Sequence, residues 1–436
     1  MPPVPFRRST GPRGPLLSGG RALTAATLIV AVSGYAVIVI AGHALDAADY
    51  ERFTVYWGLF FALTGVLDGL LHETTRSVSA TRYPDAPAAG TTAARPVVVA
   101  VWSGVAAAAV ALLTAWWWAD RLVPGTGVPG VLLLVAGLAS YAVQAAVGGL
   151  LSAMRRWRRY AALIAVDSAV RVVLAAVAWA TGLELVAFLL VTVIGAVTWT
   201  GLLVIGGSRR MLRLRADATP LVFLRRTGAA MTASGANALL VTGFPVLLTA
   251  TSPAGTAPGA LAAVITAVTV TRAPLLVPLQ RFQPALIVRF SRRGAAALPG
   301  PVAVVVACSA LVALGLWLLG RPVLRLFFPA GLVAPPGTLA ALGLASGALA
   351  LLMLSGVWVL AAGRHGLYVL GWLTATVVAV IVLSGVDATP AARAVTALGA
   401  APLGGVLVHL AGSVRRRPAP EPVPDPHPGC SSGRTA

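Results

Sequence analysis

The chain is a succession of apolar runs, and its arginines fall almost entirely into every second gap between them. Nothing else in the sequence constrains the fold as tightly. A run of about 20 apolar residues crosses the hydrocarbon core of a bilayer as a helix, because intrahelical hydrogen bonds satisfy the backbone where no water is present. Lysine is absent, so all 33 basic residues are arginine. Basic residues stay on the cytoplasmic side, so arginine-rich gaps mark one face of the membrane and arginine-poor gaps the other.

The runs predict about twelve spans. They lie near 22–44, 54–72, 96–118, 129–152, 160–181, 183–206, 227–250, 259–283, 301–319, 338–361, 366–386 and 391–412. The arginine-rich gaps begin with Arg7, Arg8, Arg13 and Arg21, then Arg76, Arg82 and Arg95, then Arg155, Arg156, Arg158 and Arg159. They continue with Arg209, Arg210, Arg213, Arg215, Arg225 and Arg226, then Arg289, Arg292 and Arg293, Arg364, and Arg415 to Arg417. The opposite gaps carry Asp46, Asp49, Glu51, Asp120, Glu184 and Asp387 with few arginines. Removing one span would break the alternation from that point on. With the lysine-free, alanine- and arginine-rich usage of a GC-rich bacterial genome, this predicts a multi-pass protein of the bacterial cytoplasmic membrane with both termini cytoplasmic.

Composition removes other classes. Hydrophobic residues make up 58% and charged residues 11%, against about 25% charged in soluble proteins. Mean hydropathy is +0.87. The positive charge is dealt out to loops rather than gathered on a polar domain, so nucleic acid is not an expected partner. Cys308 and Cys430 lie in unlike environments, which argues against a disulfide or a metal pair. The Pro- and Arg-rich head leads into an apolar run too long for a signal peptide, so the first span is expected to stay. No phosphate-binding glycine loop, zinc motif or large polar loop occurs, so no cofactor and no enzymatic activity are expected.

The longest basic stretch, 208–226, follows the sixth span. It divides the chain into a head 1–21, a six-span half 22–207, a linker 208–226, a second half 227–414 and a Pro-rich tail 415–436 expected to be disordered. Each half begins and ends on the same side, so an internal repeat would be parallel rather than inverted.

Ionisable residues inside spans are costly, about 2.5–3.5 kcal/mol each at the helix centre, and direct attention to a site. In the second span Asp68, His72 and Arg76 recur every four residues on one stripe, with Glu73 in pairing reach of Arg76. They predict a charged face toward a water-filled cavity, Asp68 deepest; helix-end anchoring is the alternative for Glu73 and Arg76. Asp167 and Arg171 at i,i+4 predict an intramembrane ion pair. Arg272 sits near the middle of the eighth span without an acid in that segment, ahead of Pro274, Pro278 and Pro284, which should bend the helix. An unpaired guanidinium there suits an anionic ligand, above all phosphate. Arg281 reads as an anchor, Asn237 and Gln144 as interhelical hydrogen bonders, and Trp116 to Trp118 as an interfacial belt.

Three stretches carry a family likeness: AGHALDAADYERFTVYWGLFFALTGVLDGLLHETTRSVSA with its Glu73-Thr-Thr-Arg76, GGLLSAMRRWRRYAALIAVDSAVRVVLAAVAWATG, and TRAPLLVPLQRFQPALI. They resemble the polysaccharide flippases, of O-antigen and teichoic-acid type, within the multidrug/oligosaccharidyl-lipid/polysaccharide exporter superfamily. The resemblance implies an all-α integral membrane protein of about twelve transmembrane helices, arranged as two six-helix lobes around a central cavity lined by spans 1, 2, 7 and 8. It implies alternating-access transport of a polyprenyl-diphosphate-linked oligosaccharide, with Arg272 and Arg76 meeting the diphosphate and Asp68, His72, Glu73 and Asn237 lining the same site. Expected partners are the anionic lipid-linked saccharide, membrane lipids, and the polymerase and glycosyltransferases of polysaccharide synthesis. The first span lacks a charge beyond Arg21 and the seventh lacks a carboxylate, so the cation site of drug-exporting relatives is not evident, and Asp68 and Asp167 are the deep acids left for coupling. The competing readings are a drug or metabolite antiporter of the same superfamily, a non-transporting scaffold, and, behind these, a membrane glycosyltransferase.

Overall fold

The computed structural model describes residues 14–81, 92–205, 208–253 and 255–414. Arg7, Arg8, Arg13, Arg82, Arg415 to Arg417, Cys430 and the tail lie outside the described residues, as do the side chains of Arg21, Arg209 and Arg281. All regular structure among the described residues is helical.

The first half contains α1 (Gly14–Ala44), α2 (Ala47–Ala80), α3 (Pro96–Leu113), α4 (Ala115–Leu122), α5 (Gly127–Ala153), α6 (Trp157–Ala180), α7 (Leu185–Ile194) and α8 (Thr198–Ile205). The second contains α9 (Pro220–Val241), α10 (Phe244–Ala250), α11 (Ala262–Arg293), α12 (Pro299–Gly315), α13 (Arg321–Phe327), α14 (Pro336–Ala361), α15 (His365–Gly385) and α16 (Pro390–Val414). Eleven helical segments are long and apolar enough to cross a membrane, and α9 with α10 makes a twelfth, bent by 70°.

Packing repeats between the halves. In the first, α1 packs on α6, α2 and α3 on α5, α5 on α7, and α6 on α7. In the second, the corresponding spans pair alike: α9 on α15, α11 and α12 on α14, α14 on α16, and α15 on α16. The recurrence is that of two parallel six-span lobes.

The lobes meet along α2 and α9. Glycines permit backbone contact there: a Cβ on Gly69 would run into the Met231 backbone, one on Gly65 into Ala238, and one on Gly235 into Val66. At the arginine-poor end one hydrophobic core joins both lobes, with Tyr50, Phe53 and Phe188 in the same cluster as Ile265, Phe328 and Leu339. Polar contacts reinforce it. The Leu261 N–H donates to Glu51 Oε2 at 2.8 Å, and Thr266 Oγ1 donates to the Tyr50 hydroxyl at 3.0 Å. At the arginine-rich end the larger cores are separate, around Val147 and Leu151 in one lobe and around Phe290 and Leu354 in the other, and a small cluster of Ala94, Ala216 and Phe223 ties the first lobe and the linker to α9. The space between the lobes is therefore closed at the arginine-poor end.

Several expected boundaries move. Span 2 is longer than 54–72, span 7 starts at Pro220 rather than 227, so that Arg225 and Arg226 lie on α9, and span 6 is interrupted by a 3-10 turn, Gly195–Val197. Span 7 breaks at Thr242-Gly243, where Pro245 lacks the N–H that would continue the ladder to Val241. The prolines after Arg272 do not end α11, which is helical over all of Ala262–Arg293. In the expected aromatic belt Trp116 and Trp117 are exposed, but Trp118 is buried and donates to the Ala111 carbonyl at 2.9 Å.

Candidate functional site: a divided cavity between the lobes

Two adjoining chambers lie between the lobes, with Phe61, Val241, Thr242 and Gln280 in the walls of both. The first, of about 270 Å³, is bounded by α1, α2, α11 and the α9–α10 break. Its walls are mostly apolar, Ile38, Trp57, Leu276 and Val277 among them, with Tyr35, Thr242 and Arg272 among its polar groups.

Arg272 is buried, with 7% of its surface exposed, so its guanidinium needs partners. The broken helix supplies them. Arg272 Nη1 donates to the carbonyls of Val241 at 2.7 Å and Leu240 at 3.2 Å, and Nε donates to Val268 at 2.8 Å. The Val241 carbonyl is one that Pro245 leaves open. The expectation of a wholly unpaired arginine is thus corrected: Arg272 caps the C-terminal end of α9, where a cation also meets the negative end of the helix dipole. Its Nη2 makes no hydrogen bond among the described residues.

The second chamber, about 520 Å³, is lined by Asp68 and His72 from α2, Ser234 and Asn237 from α9, Gln280 and Gln283 from α11, and Tyr368 and Trp372 from α15. Asp68 Oδ1 accepts from the Tyr141 hydroxyl at 2.7 Å, and His72 Nδ1 lies 3.2 Å from Ser234 Oγ. Asp68, His72 and Asn237 therefore share one chamber, adjoining but distinct from that of Arg272.

Glu73 and Arg76 do not join them. Glu73 is 5% exposed and takes two hydrogen bonds from Arg76, at 2.6 and 2.8 Å. Arg76 also donates to Asp217 at 3.1 and 3.3 Å. Ser77 Oγ donates to the same carboxylate, and Arg226 reaches it at 3.4 Å. This cluster ties the end of α2 to the linker and to α9, and the linker backbone is itself paired with Ala94 through Ala216 and Ala218. Partial burial pushes the Asp217 carboxyl up, but the Ser77 hydroxyl and the Arg76 and Arg226 guanidiniums outweigh it and hold the group below the usual carboxylate range. The four-residue stripe on α2 thus divides. Asp68 and His72 face the cavity, and the expectation that Arg76 and Glu73 line it gives way to an ion-pair clasp.

Asp167 and Arg171 pair at 2.9 Å with side chains 14% and 6% exposed. The guanidinium lies 5.0 Å from the centre of the Phe61 ring, and Phe61 lines both chambers whereas neither member of the pair does. Gly195 in the 3-10 turn makes room, since a Cβ there would collide with both partners. The Gln144 amide, turned to its favourable orientation, donates to the carbonyls of Gly195 and Ala196 at 3.1 Å each.

Sequence reasoning did not find Tyr35, Tyr141, Asp217, Gln280, Gln283 or the buried His409. Gln280 and Gln283 left a signal, being amides within an apolar run. Asp217 left none, because a carboxylate in a basic linker is unremarkable until the fold brings Arg76 to it.

No protein-family profile matches the chain. The uncharacterized protein Rv3630 of Mycobacterium tuberculosis is 36% identical over 414 residues, 93% of this chain and 95% of its own length. The uncharacterized protein Rv1510 of the same species is 36% identical over 413 residues, covering 94% of each chain. Among solved structures, an inward-facing multidrug resistance MATE family transporter of the MOP superfamily matches with TM-score 0.65 and 14% identity, over 89% of this chain and 94% of that one. An outward-facing MATE family transporter matches at TM-score 0.63 and 14% identity, over 92% and 96%. A MOP superfamily transporter from Pyrococcus furiosus, described by the reversed polarity of its binding pocket, also gives 0.63 at 14% identity, over 92% and 95%. The chain has the two-lobed, twelve-helix fold of those transporters, and it belongs to the family of the uncharacterized mycobacterial proteins.

Proposed function

We propose that the chain is a transporter of the bacterial cytoplasmic membrane that carries a polyprenyl-diphosphate-linked oligosaccharide from the inner to the outer leaflet by alternating access, for synthesis of cell-surface polysaccharide. The observation that carries this reading is the division of the cavity. An apolar chamber with one buried guanidinium adjoins a chamber of amides, hydroxyls and aromatic rings. A lipid-linked saccharide has the same division, with an apolar chain, a diphosphate and a polar head. Closure of the lobes at the arginine-poor end fits a state open to the cytoplasmic side. Arg272 Nη2 is the donor offered to the diphosphate, and a charge-assisted hydrogen bond from a buried guanidinium is strong. Arg76 serves the cytoplasmic clasp instead. Partners on this reading are the lipid-linked saccharide, membrane lipids, and the enzymes that make and polymerise the repeat.

The test is the leaflet distribution of the lipid-linked intermediate in cells depleted of the protein, read with a membrane-impermeant glycan label. Accumulation of intermediate shielded from the label is the expected result. A normal outer-leaflet pool would defeat the reading and favour the scaffold alternative. A drug or metabolite antiporter fits less well, because a cationic drug would meet Arg272 in the chamber that offers it apolar walls.

A further inference from the structure

We infer that the chamber around Asp68 is a subsite for an uncharged, hydroxyl-rich sugar head, and that Asp68 selects against acidic sugars; this rests on the lipid-linked saccharide reading above. The chamber is built from groups that both donate and accept. Asn237, Gln280 and Gln283 each present a carbonyl and an NH2 group, Ser234 presents a hydroxyl, and His72 a ring nitrogen. A sugar hydroxyl also donates and accepts, and a polar group taken out of water must find such partners. The half-buried ring of Tyr368 completes the wall, giving the apolar face of a pyranose a surface to lie against, with the buried Trp372 packed behind it.

The charge in this lining is what sets the selectivity. Among the described residues the chamber presents one carboxylate, Asp68, and no arginine. Asp68 Oδ1 is held by Tyr141, while Oδ2 accepts no hydrogen bond among the described residues and can take a sugar hydroxyl. The cation available to an anionic ligand is Arg272, and it lies in the other chamber. One molecule can therefore place its diphosphate at Arg272 and its sugars beside Asp68, passing Phe61 and Gln280, which both chambers share. A hexuronic acid in the second chamber would set a carboxylate against Asp68 with no arginine to compensate it, His72 being the one group of that lining able to gain a positive charge. That repulsion is expected to weaken binding about tenfold, because a carboxyl group relieves a larger penalty by taking a proton.

The experiment uses the full chain in nanodiscs of neutral lipid. The probes are two synthetic farnesyl-diphosphate disaccharides, one of two neutral hexoses and one with a hexuronic acid replacing a hexose. We expect the neutral probe to bind about tenfold more tightly. Asp68→Asn should close that gap to about twofold, chiefly by tightening the acidic probe. A gain of affinity cannot come from misfolding, so the variant remains informative. Gln283→Ala should weaken the neutral probe several-fold. Equal binding of the two probes by the unaltered protein, or an unchanged gap in Asp68→Asn, would overturn the selectivity and leave the flippase reading standing. Failure of both probes to bind would overturn the flippase reading itself.

Discussion

The pair Asp167–Arg171 gives a sharp energetic prediction. At 2.9 Å, with 14% and 6% of the side chains exposed, each charge is compensated mainly by the other. The compensation is local and incomplete: Asp167 Oδ1 and Arg171 Nε and Nη2 have no hydrogen-bond partner among the described residues. Removing one partner strands the other charge, at about 3–5 kcal/mol for a buried pair. Replacing both with neutral groups of like size removes the stranded charge, so Asp167→Asn with Arg171→Met should be less harmful than either single change. The interaction term of that cycle should be about 2–3 kcal/mol.

The single variants should also differ. Sequence alone suggests that Arg171→Ala is worse, because it leaves a bare carboxylate. The geometry reverses this order for an isosteric replacement. A carboxyl group can shed its charge by taking a proton, whereas a guanidinium cannot be deprotonated in a protein. Asp167→Asn leaves Arg171 charged against Phe61, whose ring offers about 1–2 kcal/mol of cation–π attraction. Asp167→Asn should therefore be at least as destabilising as Arg171→Met. The assay is reversible unfolding in mixed micelles, followed by fluorescence, for the four proteins of the cycle. Additive effects would refute the reasoning, because the two charges would then be solvated separately.

Other perturbations test the remaining elements. Arg272→Ala strips the donor from the carbonyls at the helix break and should lower the melting temperature as well as abolish transport, at about 1 kcal/mol or more for the Val241 carbonyl left buried. Arg272→Lys keeps the charge but loses the fork, so only partial recovery is expected; wild-type melting and complementation by Arg272→Ala would end both the capping and the ligand roles. Gly69→Leu should force α2 and α9 apart and destroy transport, and normal complementation by it would show that the seam is not rigid. Asp217 contributes stability that is present above the unfolded pKa of a carboxyl group, near 3.9, and is lost as pH falls through its depressed folded value. Protease cutting of the linker should therefore stay constant between pH 8 and pH 5 in the unaltered protein and be faster at each pH in Asp217→Asn. A rise in wild-type cutting already between pH 6 and pH 5 would contradict the assignment.

What the sequence conveyed depended on the range over which each residue finds its partner. The spans and the alternation of arginines are set by one-dimensional rules, apolar length and loop charge, and they survive folding with shifts of a few residues at most ends. Asp167 and Arg171 lie one helical turn apart, so their pairing could be read directly. Arg272 shows the limit. Its isolation from acids is visible in the sequence, but the acceptors that satisfy it are backbone carbonyls about thirty residues upstream, at Leu240 and Val241. They are free because Pro245 follows a glycine break. A proline in a span announces an open carbonyl without saying which side chain will reach it. Arg76 fails for the same reason in the opposite direction, since Asp217, distant in sequence, claims the guanidinium that helical spacing would assign to the cavity. A charged residue in a membrane span marks a place where the fold must supply a partner, and whether that partner is protein or cargo is decided by contacts made only after the lobes assemble. Arg272 shows the first case, with Nε and Nη1 spent on backbone carbonyls, and on the proposed reading the edge carrying Nη2 serves the second.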